Sequence, residues 1–206
     1  MAKILTLKGS KTWDPVPLPE ERTWPPPQGK WAYQDYLRLP DDGYHYEVIK
    51  GELHMTAAPT LRHQDVVRNL SLALQRFVTE RQLGKIYFAP VDVLISDLAT
   101  PVEPDILFVT SERQSILKEN NIEGAPDLIV EVLSPSNWVV DRRDKFVVYE
   151  AAGVGEYWIV DPDAQTVEVY SLRQGRYALL ERYEPGQRVQ SELLTGFQIP
   201  VDAIFE

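Results

Sequence analysis

The sequence contains no cysteine among its 206 residues. Disulfide bonds, thiolate nucleophiles and cysteine-ligated zinc sites are therefore excluded. It also lacks any apolar run close to the ~20 residues that a membrane helix needs. Its opening residues, Met1 to Lys8, form too short and too interrupted an apolar stretch for a signal peptide. These absences predict a soluble cytoplasmic protein with no membrane partner.

Several catalytic motifs are missing as well. The chain has no serine nucleophile elbow, no phosphate-binding glycine-rich loop, no HExxH helix and no dinucleotide fingerprint. Basic residues are outnumbered, with 21 Lys and Arg against 31 Asp and Glu and a net charge of −10. This balance argues against a broad electrostatic grip on nucleic acid, although it permits a local basic groove. Metal-assisted hydrolysis is the sharpest chemical option that remains.

The length and the 44% hydrophobic content predict one core-forming domain. Residues 1–30 carry six of the 16 prolines and read as an extended N-terminal arm, with disorder as the alternative. Residues 31–206 show no further linker or repeat and are expected to form a single domain.

Hydrophobic periodicity and turn residues divide that domain into elements. Helices are predicted over 31–39, 61–82, 111–118 and 141–152, and strands over 44–49, 52–55, 85–95, 105–110, 128–133, 156–161, 166–172, 177–183 and 188–190. The order predicts an α/β (α+β) fold, in which a mixed central β-sheet is flanked by helices, with extra β-hairpins at both ends.

Two carboxylates occupy apolar strands. Glu131 lies in the middle of the run Leu128 to Leu133, and Asp105 opens the stretch Ile106 to Val109. An ionised Glu in a buried strand costs several kcal/mol unless it is paired, protonated or bound to a cation. If the two strands are neighbours, both acids can bind one Mg²⁺ together with waters and phosphate oxygens. The alternative is that the acids cap a turn or pair with Arg.

Five other residues are candidates for supporting roles. Lys145 and Tyr149 are one helical turn apart and share a face, where Lys145 can stabilise charge on a phosphoryl group. The alternative for Lys145 is a solvated helix face. His63 opens the long helix and can orient a carboxylate, or serve as an ordinary cap. Glu47 and Glu52 flank a hairpin turn, and one of them can add a further carboxylate.

The series resembles a known bacterial family. It runs through Tyr46–Leu53, His63, Pro104–Asp105, Ala125–Ser136, Asp141–Lys145, Tyr149 and Gly153–Pro162. Over residues 30 to 175 the chain is identified as a member of the "putative restriction endonuclease" family of the PD-(D/E)XK nuclease superfamily.

The resemblance implies a restriction-endonuclease-like fold and a hydrolase that cleaves DNA phosphodiesters with Mg²⁺, or alternatively Mn²⁺. It implies that Asp105 and Glu131 bind the metal. The superfamily lysine, expected two positions after the Glu, is Leu133 here. Lys145 is expected to replace it as the third catalytic residue, with Tyr149, His63 and Glu47 in support. A homodimer is expected by analogy, because cutting both strands requires two sites.

Two other classes of protein remain open. A nuclease-fold module that has lost its chemistry and binds nucleic acid or protein would fit the net charge and the displaced lysine. A component of a larger assembly that docks through the proline-rich arm is the third.

Overall fold

The computed structural model describes residues 24–40, 42–56, 58–134 and 140–206. Most of the predicted arm, residues 1–23, lies outside the described residues. The division into an arm over 1–30 and a domain over 31–206 therefore stays a prediction. In the described part, no helix is both long enough and apolar enough to cross a membrane.

Four α-helices and twelve strands make up the described chain. The helices are α1 (Tyr33–Tyr36), α2 (Leu61–Arg81), α3 (Phe146–Ala152) and α4 (Val201–Phe205). The strands are β1 (His45–Ile49), β2 (Glu52–Thr56), β3 (Gly84–Phe88), β4 (Val93–Leu94), β5 (Ile106–Thr110), β6 (Ile122–Glu123), β7 (Leu128–Val132), β8 (Glu156–Asp161), β9 (Thr166–Arg173), β10 (Arg176–Tyr183), β11 (Arg188–Gln190) and β12 (Gln198–Pro200). A 3₁₀ helix covers Ser111–Ile116, and a π-helical turn over Val140–Lys145 leads into α3.

The central sheet has six strands in the order β10-β9-β8-β7-β5-β3. Strands β7 and β8 are parallel and are connected through α3, while the other neighbours are antiparallel. The sheet is therefore mixed, with helices on its faces and small two-stranded additions around it. This architecture confirms the predicted fold class.

Alternation along the strands divides the core into two layers. Long helix α2 covers one face with Val66, Leu70, Leu74 and Val78, which recur at helical spacing. On the other face, α3 packs together with residues of the β1–β2 hairpin and the β4–β6 pair. Side chains of one strand reach both layers in turn, because successive residues point to opposite sides. The face under α3 carries the charged residues described below.

The β1–β2 hairpin confirms the turn predicted at Lys50–Gly51. Both residues have positive φ, at 53° and 74°, which is the backbone of the two-residue turn that matches strand twist. A Cβ on Gly51 would lie 2.8 Å from the backbone of Gly29, so a larger residue is excluded there. The register pairs Glu47 with His54. Glu47 is thereby fixed on the inner side of the hairpin.

Three predicted boundaries were wrong. The strand predicted over 85–95 is interrupted at Pro90, which has no backbone N–H for a ladder, and resumes as β4. The helix predicted over 31–39 is only the single turn α1. The helix predicted over 141–152 begins as the π-helical turn, and its regular α-helical part starts at Phe146.

Candidate active site

The two predicted strand acids lie at the same end of the β5–β7 ladder. The last pair of that ladder is Ile106 with Val130; Asp105 immediately precedes Ile106, and Glu131 immediately follows Val130. The Val132 N–H donates to Asp105 Oδ2 over 2.7 Å, which holds this carboxylate against β7. The structure therefore brings Asp105 and Glu131 together.

Glu131 is almost completely buried, at 3% exposed. Its Oε1 accepts hydrogen bonds from Lys145 Nζ at 3.1 Å and from the Tyr149 hydroxyl at 2.7 Å. A charge-assisted donor pair of this kind offsets the cost of removing a carboxylate from water. Lys145, at the end of the π-helical turn, and Tyr149, in α3, approach from one helical face, as their spacing predicted.

Lys145 lies between two buried carboxylates. Its Nζ is 3.0 Å from Glu47 Oε1 and 3.1 Å from Glu131 Oε1, and the side chain is 4% exposed. Glu47, also 4% exposed, further accepts a 2.7 Å hydrogen bond from the backbone N–H of Glu103. Of the two hairpin glutamates, Glu47 faces the site, whereas Glu52 is exposed. The solvated-face alternative for Lys145 is therefore wrong.

Tyr149 is fully buried beneath α3. Burial raises the pKa of its hydroxyl well above the ordinary value, and the nearby charge of Glu131 raises it further. The hydroxyl consequently keeps its proton at any physiological pH. It acts as a permanent donor that fixes the orientation of Glu131.

His63 connects the first turn of α2 to Asp105. Thr60 caps the helix by accepting the His63 backbone N–H on its Oγ1 at 3.2 Å. The imidazole Nε2 lies 3.3 Å from Asp105 Oδ2, and the residue is 9% exposed. Six of the seven residues singled out in the sequence thus gather at one end of the sheet, and only Glu52 stays apart. They come from β1, α2, β7, the π-helical turn, α3 and the residue preceding β5.

A second ion pair continues the row of charges, and sequence reasoning missed it. Arg142 Nη1 lies 3.0 and 3.2 Å from the two carboxylate oxygens of Glu168. The Tyr170 hydroxyl donates to Glu168 Oε2 over 2.8 Å. Burial, together with this hydrogen bond, raises the pKa of Tyr170 to about 12. The available signal was the acid flanked by two valines in β9, a pattern like that around Glu131.

Another pair of acids lies behind Glu47. The Tyr36 hydroxyl donates to Asp92 Oδ1 over 3.1 Å, and His45 Nδ1 lies 3.1 Å from Glu103 Oε2. Burial raises the pKa of both Asp92 and Glu103 above their ordinary values. This pair borders the site through the backbone of Glu103, which holds Glu47.

The donor set fits a hard divalent cation. Asp105 and Glu131 supply carboxylate oxygens, the ligands that Mg²⁺ and Mn²⁺ prefer. Both contacts of Asp105 involve Oδ2, so its Oδ1 accepts no hydrogen bond from the described residues. Within the described ranges, no group of three or more His, Cys, Asp or Glu side chains is arranged to hold a metal. A cation here would therefore need oxygens from water or a phosphate, as Mg²⁺ commonly does.

A core residue, Leu133, stands where the superfamily lysine is expected. Leu133 is 8% exposed and packs in the apolar layer beneath α3. The ammonium group near Glu131 comes instead from Lys145, 14 positions along the chain. The charge expected beside the second acid is thus present, although another element supplies it.

Comparisons with known proteins agree with this architecture. A crystal structure described as a putative nuclease from Anabaena variabilis ATCC 29413 superposes with a TM-score of 0.70 at 21% identity, over 84% of this chain and 97% of that one. An uncharacterized protein of Synechocystis sp. is 28% identical over 135 residues, which are 65% of this chain and 76% of the relative. The first likeness supports the fold.

The family assignment rests on a match over most of the domain. The model of the Uma2 family, described as "Putative restriction endonuclease", matches residues 33–202. This range includes all six residues that converge at the end of the sheet. The chain therefore belongs to the Uma2 family.

Proposed function

We propose that this protein is a metal-dependent endonuclease that hydrolyses DNA phosphodiester bonds, with Mg²⁺ as its metal and Mn²⁺ as an alternative. Membership of a family described as restriction endonucleases supports a nuclease-type function. The observation that carries the finer proposal is the Asp105 carboxylate held against β7 beside buried Glu131, with Lys145 3.1 Å from Glu131. Two acids and one ammonium group suit a reaction in which negative charge develops at a phosphate.

Each residue has a role that its contacts support. Asp105 and Glu131 would hold the metal, which when bound activates water and neutralises charge on the scissile phosphate. Lys145 would donate to the oxygen on which negative charge develops. Tyr149 keeps Glu131 oriented through its 2.7 Å hydrogen bond, and His63 orients Asp105. Glu47 holds the Lys145 ammonium through its Oε1, 3.0 Å from Nζ.

Cleavage of supercoiled plasmid DNA tests this proposal. We expect Glu131→Gln and Asp105→Asn to lose at least 100-fold in the metal-dependent nicking rate, in line with the loss of a group that acts on the transition state (about 10²–10³). Asp127→Asn is a matched control. Asp127 precedes β7 as Asp105 precedes β5, and it bonds Thr110 N and Arg113 at the opposite end of the same strand pair. Undiminished nicking by folded Glu131→Gln would refute the proposal.

A catalytically inactive module that binds nucleic acid or protein is the second candidate. It is favoured by the Lys145 ammonium, which lies 3.0 and 3.1 Å from Glu47 and Glu131 and offsets part of their charge. Calorimetric titration with Mg²⁺ and Mn²⁺ separates the two candidates. An endonuclease should bind a cation, and the double variant Asp105→Asn/Glu131→Gln should lose that binding. An inactive module should bind neither ion, even when a DNA oligonucleotide is present.

We further propose that the endonuclease works as a homodimer, because two cuts in a duplex require two sites and twofold dimers are the commonest oligomers. Sedimentation equilibrium of the full chain measures this directly. A mass of one 23.6 kDa chain at micromolar concentration, with and without DNA, would contradict it.

A further inference from the structure

The Arg142–Glu168 pair differs from the exposed ion pairs of this protein. The Glu168 side chain is 10% exposed and that of Arg142 is 31% exposed. By contrast, Arg173, the last residue of β9, pairs with Glu192, and both of these side chains are more than half exposed. Glu168 is further fixed by the Tyr170 hydroxyl. The guanidinium is thus anchored from beneath by a rigid, buried carboxylate.

This pair lies beside the candidate active site in a regular arrangement. Glu131 is in register with Ile159, and Ile159 is in register with Glu168, so the two acids share one face two strands apart. With neighbouring strands about 4.8 Å apart, their Cα atoms are about 10 Å apart. Above them, Arg142 and Lys145 are three residues apart on one turn. Arg142 pairs with Glu168, and Lys145 pairs with Glu131.

The Arg142 guanidinium keeps most of its donors available. An arginine carries five N–H donors, and both contacts of Arg142 with Glu168 use Nη1. Neither Nε nor Nη2 has a hydrogen-bond partner among the described residues. A partly exposed, anchored guanidinium with free donors matches the oxygens of a phosphate, which arginine binds through two parallel bonds.

We propose that Arg142 binds a backbone phosphate next to the scissile one on the same DNA strand. The inference rests on the proposed endonuclease function and names a second phosphate subsite for it. A chain with a net charge of −10 needs local cations to hold a polyanion. The proposed function assigns Lys145 to the scissile phosphate, so Arg142, three residues before it and more exposed, is the cation placed to contact a neighbouring phosphate. Its role is substrate positioning.

The test is the salt dependence of DNA binding, measured by fluorescence anisotropy with a labelled duplex in EDTA, where cleavage does not occur. For duplex DNA, each neutralised phosphate contributes about 0.9 to the slope of log Kobs against log salt. We expect Arg142→Met to weaken binding and to reduce the slope by about 0.9, and Arg142→Lys to retain the slope. Arg173→Met, which breaks the exposed pair, should change neither quantity.

Removing Arg142 alone leaves the buried Glu168 carboxylate without its cation, which destabilises the folded state. The double variant Arg142→Met/Glu168→Gln removes both charges and should show the same loss of slope. An unchanged slope in this folded double variant, or no DNA binding by the wild type at low salt, would overturn the subsite. Plasmid nicking is scored separately. A wild type that binds with an Arg142-dependent slope but never cleaves would refute the endonuclease and leave the phosphate contact standing.

Discussion

Replacing Lys145 with Met tests the buried charge cluster most directly. Glu47 Oε1 and Glu131 Oε1 both lie about 3 Å from the same ammonium nitrogen, so the two oxygens are at most about 6 Å apart. Without the lysine, two buried carboxylates would repel each other by about 3 kcal/mol at an effective dielectric constant of 20. Breaking a buried pair by removing one partner costs about 3–5 kcal/mol in proteins generally. The two figures agree.

The assay is thermal and urea unfolding of the full chain at pH 7. For a protein of this size, a loss of 3–5 kcal/mol lowers Tm by about 6–20 °C. Lys50→Met is the matched control. Lys50 forms a 2.8 Å pair with Asp144 but is 39% exposed, so its loss should cost less than about 1 kcal/mol.

Divalent metal should partly replace the missing cation. A ligand that binds only the folded state at 100 times its Kd stabilises it by about 2.7 kcal/mol. Mn²⁺ should therefore raise the Tm of Lys145→Met by more than that of the Lys50→Met control. Equal stability of the two variants in the absence of metal would refute the reasoning, since it would mean that the carboxylates do not need the ammonium.

Two further substitutions probe the surroundings of the site. Tyr149→Phe should cost about 1.5–3 kcal/mol in urea unfolding, because it removes a hydrogen bond to charged Glu131 without removing the ring; a cost below 0.5 kcal/mol would contradict the contact. Burial raises the pKa of Asp92 from 3.8, so its protonated form stabilises the fold below that pH, and this contribution is lost as pH rises through the raised pKa. Asp92→Asn should consequently be more stable than the wild type at pH 7, with the difference vanishing below pH 4; a deficit for Asp92→Asn at both pH values would contradict the sign.

The centre of the site was predictable because its signals are local. Glu131 is conspicuous among aliphatic residues, and the spacing of Lys145 and Tyr149 places both on one helical face. The long helix, predicted over 61–82 and observed over Leu61–Arg81, follows from a regular apolar stripe. Patterns of this kind depend only on neighbours in sequence, so they survive without knowledge of the fold.

The remainder depends on long-range pairing. Which hairpin glutamate faces inward is set by packing of the hairpin against the sheet, so Glu47 and Glu52 looked equivalent in sequence. The alignment of Glu168 with Glu131 depends on the register of β7, β8 and β9, so the sequence of one strand alone does not reveal it. Glu156 shows the reverse case. It belongs to the segment that carries the family resemblance, yet its carboxylate lies on the opposite face and accepts bonds from Trp158 Nε1, Ser191 Oγ and two backbone N–H groups.

The distribution of the site residues along the chain has a consequence for folding. The cation between Glu47 and Glu131 comes from Lys145, at the end of the π-helical turn before α3, and β7 pairs with a strand before it and with a strand after α3. These contacts join segments that are distant in sequence, and domains dominated by such contacts fold more slowly than domains with local contacts. Lys145 reaches both carboxylates only when the β1–β2 hairpin, the centre of the sheet and the π-helical turn are all in place. The site is therefore complete only in the folded domain.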